Sequence, residues 1–175
     1  LPPHLQCLDL RGCTGLKQLP ALPPALETLD FGGCTGLSQL PVQALPSLER
    51  LYLNGCVGLK AHTLAAFLEA LRDSPIVELD VSEVPTVTSL DECPRRVLRK
   101  LVLIGCPKLT DVRLLGEFPA LEHVNLGGCT ALESLPALPP RLRFLVLHGA
   151  NNLTSFLGQD IGPYDRGSEK QNVAK

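Results

Sequence analysis

The chain contains no tryptophan and no methionine, and only 5 phenylalanines and 2 tyrosines among 175 residues. A conventional globular core takes much of its buried area from large rings, so this interior must be filled in another way. No apolar run approaches the roughly 18 residues that a membrane-spanning helix needs. A basic excess is also missing: 16 Lys+Arg against 18 Asp+Glu give a net charge of −2. That balance offers no electrostatic footprint for nucleic acid, and no polybasic run marks an anionic membrane surface. The opening Leu1-Pro2-Pro3-His4 shows neither an initiator Met nor a charged-then-apolar leader, and we expect the segment to be a piece of a longer protein. Seven cysteines are present, but the count is odd and no Cys-x-x-Cys pair occurs. Both facts argue against a closed disulfide framework and against a zinc site, and a reducing compartment is expected.

What the chain has in excess is leucine, 37 of 175 residues. Aligned on its cysteines, the sequence resolves into the template L-x-x-L-x-L-x-x-C-x-x-L. The first copy is Leu5, Leu8, Leu10, Cys13, Leu16, and the second is Leu26, Leu29, Phe31, Cys34, Leu37. The third is Leu48, Leu51, Leu53, Cys56, Leu59, followed by a degenerate fourth of Ile76, Leu79, Val81, Val84, Val87. The pattern returns at Leu98, Leu101, Leu103, Cys106, Leu109, then Leu121, Val124, Leu126, Cys129, Leu132, and ends at Leu142, Leu145, Leu147, Ala150, Leu153. Successive anchors lie 21, 22, 28, 22, 23 and 21 residues apart. Seven copies on that period are the signature of a leucine-rich-repeat solenoid, in which each copy buries its leucines against its neighbours.

The predicted class is therefore α/β, a leucine-rich-repeat solenoid with a curved parallel β-sheet on its concave face. Each L-x-L supplies a short strand about 4.8 Å from the next. Prolines in Pro20-Ala21-Leu22-Pro23-Pro24 and Pro136-Ala137-Leu138-Pro139-Pro140 predict extended, polyproline-like convex returns. The longer third return places Leu64, Phe67, Leu68 and Leu71 at helical spacing within Thr63–Arg72, which predicts one helix. Glycine precedes the cysteine position at Gly12, Gly33, Gly55, Gly105, Gly128 and Gly149, as a strand exit with φ > 0 would require. Residues 1–156 form the repeat domain, and 157–175 a polar tail, linker or frayed cap.

The wording Leu8-Asp9-Leu10-Arg11-Gly12-Cys13-Thr14-Gly15-Leu16 and Leu29-Asp30-Phe31-Gly32-Gly33-Cys34-Thr35-Gly36-Leu37 resembles the cysteine-type repeats of bacterial type III secreted effectors. The Leu-Pro-x-Leu-Pro-Pro returns are similar to those of effector ubiquitin ligases with a C-terminal novel-E3-ligase domain, and of xanthomonad effectors. Gly-Cys-Thr-Gly-Leu also occurs in plant intracellular immune receptors and kinetoplastid repeat proteins. The resemblance covers residues 1 to about 156. It implies a target-selecting module delivered by a bacterium into the host cytoplasm, and in the ligases one that also restrains the catalytic domain. No residue here matches that domain. Cys7-Leu8-Asp9 shares the Cys-x-Asp wording of its active site but sits inside a strand repeat. The segment itself is expected to be no enzyme. The alternatives are the substrate arm of a ubiquitin ligase, or an immune-receptor or surface-adhesion array.

Candidate site residues lie between the leucines, where strand alternation sends side chains to the concave face. Asp9, Asp30 and Asp80 make an acidic first half interrupted by Arg50 and Tyr52, and strand spacing gives these carboxylates no wrapping geometry for a cation. They are expected to be a solvated face. Val102, Ile104, Phe144 and Val146 make an apolar second half bridged by His123 and Asn125. Exposed apolar side chains on one sheet face mark protein contacts, or a surface covered by a missing domain. With Lys100, the predicted partner-binding set is Arg50, Tyr52, Lys100, Val102, Ile104, His123, Asn125, Phe144 and Val146. The expected partner is a protein, without nucleic acid, membrane, metal or cofactor. The laddered cysteines are expected to point inward and satisfy backbone carbonyls. His4, His62, His123 and His148 have no nucleophile partner. Asn152-Leu153-Thr154 is a glycosylation sequon, relevant only in a secretory pathway.

Overall fold

A computed structural model describes residues 1–156 and a short strand at Gln159–Asp160; most of the expected tail, 157–175, lies outside the described residues. Seven three-residue strands carry the template: β1 (Cys7–Asp9), β2 (Thr28–Asp30), β3 (Arg50–Tyr52), β4 (Glu78–Asp80), β5 (Lys100–Val102), β6 (His123–Asn125) and, after a two-residue strand β7 (Ser134–Leu135), β8 (Phe144–Val146). They pair in parallel in the order β1-β2-β3-β4-β5-β6-β8. The register aligns Leu8, Leu29, Leu51, Leu79, Leu101, Val124 and Leu145 across the sheet. A one-residue slip at any pair would turn that row outward.

Burial follows the stacking. Leu29, Leu51, Leu79 and Leu101 are sealed on both sides, whereas Leu8 and Leu145 in the end repeats are half-buried. Where each strand ends, the six expected glycines adopt φ between 64° and 79°. The fourth repeat has no glycine there, and Glu83 takes the same left-handed conformation at φ 59°. The cysteine ladder points inward as expected at four of its five positions, whereas Cys13 in the first repeat is exposed. The four buried thiols donate to carbonyls of the preceding repeat: Cys34 to Leu10 (3.0 Å), Cys56 to Phe31 (3.2 Å), Cys106 to Val81 (3.4 Å) and Cys129 to Leu103 (3.0 Å). Burial pushes the Cys56 thiol up to about 12, so it stays a protonated donor at neutral pH.

The convex side is mixed. The returns at 17–27 and 38–47 form no helix or strand. A polyproline-like return has no internal hydrogen bonds, and a side chain supplies them: the Gln43 carboxamide accepts from Leu22 N (2.9 Å) and donates to Leu22 O (2.8 Å). Helix α1 (Ala61–Ala70) buries Leu64, Phe67 and Leu68. It starts two residues before the predicted Thr63, because Ala61 and His62 complete its first turn without adding to the apolar stripe. Two features were not anticipated. A 3-10 turn spans Arg113–Glu117. A second small sheet joins β7 in parallel to β9 (Ser155–Phe156), which pairs antiparallel with β10 (Gln159–Asp160). These two-residue strands are too short for an alternation signal. No helix among the described residues is long and apolar enough to cross a membrane.

Candidate functional site

The parallel register converts the repeat into columns on the concave face. One column runs Cys7, Thr28, Arg50, Glu78, Lys100, His123, Phe144, and the next runs Asp9, Asp30, Tyr52, Asp80, Val102, Asn125, Val146. Two residues beyond the second column come Arg11, Gly32, Asn54, Ser82, Ile104, Gly127 and His148. All nine predicted partner-binding residues therefore fall on β3, β5, β6 and β8 or just past β5. The structure brings Val102, Ile104, His123, Asn125, Phe144 and Val146 onto neighbouring strands, and leaves Arg50 and Tyr52 beyond β4.

The acidic column differs from the expected solvated face. Asp30 Oδ1 accepts from Gly32 N (2.8 Å) and Asp80 Oδ1 from Ser82 N (2.9 Å). Asn125 Oδ1 accepts likewise from Gly127 N (3.0 Å), and Asp9 Oδ1 from Arg11 N (3.1 Å). These short side chains satisfy the amide two residues on as the chain leaves the strand. The carboxylates are thus structural as well as charged. The Asp-x-Gly and Asn-x-Gly wording at 30–32 and 125–127 carried that signal in the sequence. Val102 has no acceptor to offer, and the Ser82 hydroxyl of the previous repeat accepts from Ile104 N instead (3.1 Å).

Charges on the first half are largely matched. Arg11 grips Asp9 with 2.6 and 3.0 Å contacts and lies 3.6 Å from Asp30. Asp9 is held below its usual range by the Arg11 side-chain hydrogen bond. Lys100 Nζ sits 2.6 Å from Glu78 Oε1 across β4 and β5, and Arg50 reaches Glu49 only at 3.8 Å. Exposed pairs of this kind contribute at most about 1 kcal/mol. Between them Tyr52 is half-buried, its phenol pushed up to about 12 by burial and then by the Glu78 carboxylate. It remains a neutral donor.

The second half is apolar. Ile104, Phe144 and Val146 are 41 %, 47 % and 41 % exposed. The Phe144 ring stacks on His123 at 4.5 Å between centroids and 9° between planes, which fixes the aromatic wall of this region. Among the described residues no group of three or more His, Cys, Asp or Glu is placed to hold a metal ion.

Known protein families and curated proteins give no match to this chain. Among solved structures, the chain is similar to a leucine-rich repeat protein from Bacteroides ovatus at 16% identity and a TM-score of 0.47, over 89% of this chain and 44% of that one. It thus spans less than half the length of that relative. The seven stacked copies of one leucine template decide the architecture. This is a leucine-rich-repeat solenoid. Its repeats position a sheet of aligned, outward side chains; Ser82, Gly127 and His148 fall in its third column, as the sequence alignment predicts, but outside the predicted partner-binding set.

Proposed function

We propose that this repeat protein is a protein-recognition module that docks a folded partner on its concave face. The observation that carries it is the exposure of Ile104, Phe144 and Val146 on one sheet face. No folding requirement places large apolar groups there. The register holds Arg50, Tyr52, Lys100 and His123 beside them, and a rigid array of this kind avoids the ordering cost of a flexible binder. Recognition, rather than chemistry, is the role of this segment. The cysteine-type repeats and Leu-Pro returns favour a bacterial effector, acting in a reducing host cytoplasm, as the parent. The ligase-like returns make a ubiquitin ligase using this segment as its substrate arm the second reading.

The test is a pull-down from eukaryotic lysate with wild type and a Tyr52→Ala/Val102→Ala/Phe144→Ala variant of unchanged melting temperature. We expect a protein retained by the wild type and lost by the variant. Equal retention by both would move the binding surface off the concave face.

A further inference from the structure

The strand-entry rim of the concave face changes charge along the solenoid. One row of residues stands directly ahead of the strands and stays in register between repeats. The Arg99 carbonyl accepts from the Glu122 amide (2.9 Å), and the Glu122 carbonyl accepts from the Arg143 amide (2.8 Å). In the second and third repeats this row holds Glu27 and Glu49; at the far end it holds Arg99 and Arg143 with Glu122 between them. Arg141, two residues before Arg143, brings a third guanidinium to that end, and all three arginines are exposed. Only one carboxylate answers them. Glu122 Oε2 lies 3.9 Å from Arg143 Nη1, a long contact, and neither Arg99 nor Arg141 has an ion-pair partner among the described residues. The neighbouring cations are different: Lys100 is matched by Glu78 and Arg95 by Glu117, so neither adds to the excess.

Unmatched guanidinium groups present a planar fork of donors that suits carboxylates. Resting on the concave-face reading, we propose that the rim formed by Arg99, Arg141 and Arg143 takes an acidic segment of the partner protein, lying beside that protein's apolar contact at Phe144. The spacing fits a short run. The Arg99 and Arg143 positions are two strands apart, about 10 Å, which three extended residues span at about 3.3 Å each. The side chain that follows Arg143 is Phe144, 47 % exposed, so the acidic run and the apolar contact are adjacent in the partner as well. A nucleic-acid backbone fits less well, because a continuous polyanion would meet Glu122 within the rim and the apolar Phe144 and Val146 beside it. Complementary charge at such a border selects among partners and speeds docking more than it adds affinity.

The experiment titrates the blocked peptide N-acetyl-Asp-Glu-Asp-Phe-amide into the ¹⁵N-labelled protein, with N-acetyl-Asn-Gln-Asn-Phe-amide and a short thymidine oligonucleotide as comparisons. The backbone amides of Arg99, Glu122 and Arg143 are the NMR reporters. The acidic peptide should give saturable shifts there at about 20 mM salt and bind several-fold more weakly at about 200 mM, while the neutral peptide should not saturate. Arg99→Gln and Arg141→Gln should each weaken the acidic peptide about two- to fivefold, and Glu122→Gln, which removes the one opposing charge, should tighten it by a similar factor. Arg72→Gln, on helix α1 and paired with Glu69, should leave it unchanged. Equal binding of the neutral peptide, tighter binding of the oligonucleotide, or the same loss from Arg72→Gln as from Arg99→Gln would overturn the acidic-segment rim. If that happens while the Tyr52/Val102/Phe144 variant still loses its partner, the concave-face reading stands without the rim. If the acidic peptide behaves as expected but the triple variant keeps its partner, the concave-face reading is what fails.

Discussion

Glu83 is the one described residue other than glycine with a left-handed backbone. An L-residue in that conformation costs about 1–2 kcal/mol, and glycine gives back about 0.5–1 kcal/mol of this through its freer unfolded chain. Glu83→Gly should therefore stabilise the protein by about 0.5–1 kcal/mol, raising the melting temperature by about 1–3 °C. Glu83→Ala keeps the strained backbone and should show no such gain; calorimetry on the two variants separates conformation from the loss of the carboxylate. The six glycines at this position could be read from the sequence because they recur at one step of the template. The strain at Glu83 was not read: the alignment of Val84 with the cysteine position puts Glu83 at that step, but a charged residue carries no sign of a left-handed backbone. The hydrogen-bonding role of Asp30 is signalled by its Asp-x-Gly wording, whereas that of Asp80 was masked, since a carboxylate between two leucines looks equally suited to solvent.

At the scale of one repeat, the second glycine of the Gly-Cys-x-Gly-Leu phrase has one meaning in the first copy and another in the second and third. A Cβ on Gly36 would run into the Thr14 carbonyl of the preceding repeat, and one on Gly58 would stand 2.7 Å from the Thr35 carbonyl. Gly15, in the first repeat of this sequence, has nothing within 4 Å. Gly36→Ala should cost about 1–3 kcal/mol through overpacking. Gly15→Ala should stay within about 0.5 kcal/mol of wild type, and urea midpoints of the two variants test the contrast. Identical letters thus carry different constraints according to what lies above them. The helix at Ala61–Ala70 was legible because its apolar spacing is local. The Arg113–Glu117 turn and the pairing of Ser134–Leu135 with Ser155–Phe156 depend on contacts between returns, which no periodicity within one segment reveals.

Across the whole molecule, stability is a sum over repeats and their interfaces, so the ends hold less than the middle. Leu101 is sealed between two neighbours while Leu8 is covered on one side only. Leu101→Ala should cost about 2–5 kcal/mol and Leu8→Ala less than half as much, with amide exchange fastest at β1 and slowest at β5. The fourth repeat departs from this smooth profile. It lacks the cysteine donor at Val84, carries the strained Glu83, and buries a Thr86 hydroxyl that has no hydrogen-bond partner among the described residues. Such an unsatisfied group costs about 1–3 kcal/mol, and the interior stack is weakest at that point. The fold class and the columns of the concave face were legible from the repeat because parallel register follows from equal spacing. Exposure was not: whether a position between leucines stands open or is half-buried depends on its neighbours on the adjacent strands. The position of Tyr52 on the sheet face has a further, optical consequence. With no tryptophan and only Tyr164 besides, Tyr52 gives the protein an intrinsic ultraviolet emitter at the β3 edge of the proposed recognition surface. Partner docking there will change that phenol's solvent contact, so unlabelled protein reports its own occupancy, and Tyr52→Phe identifies the share of the signal that belongs to the face.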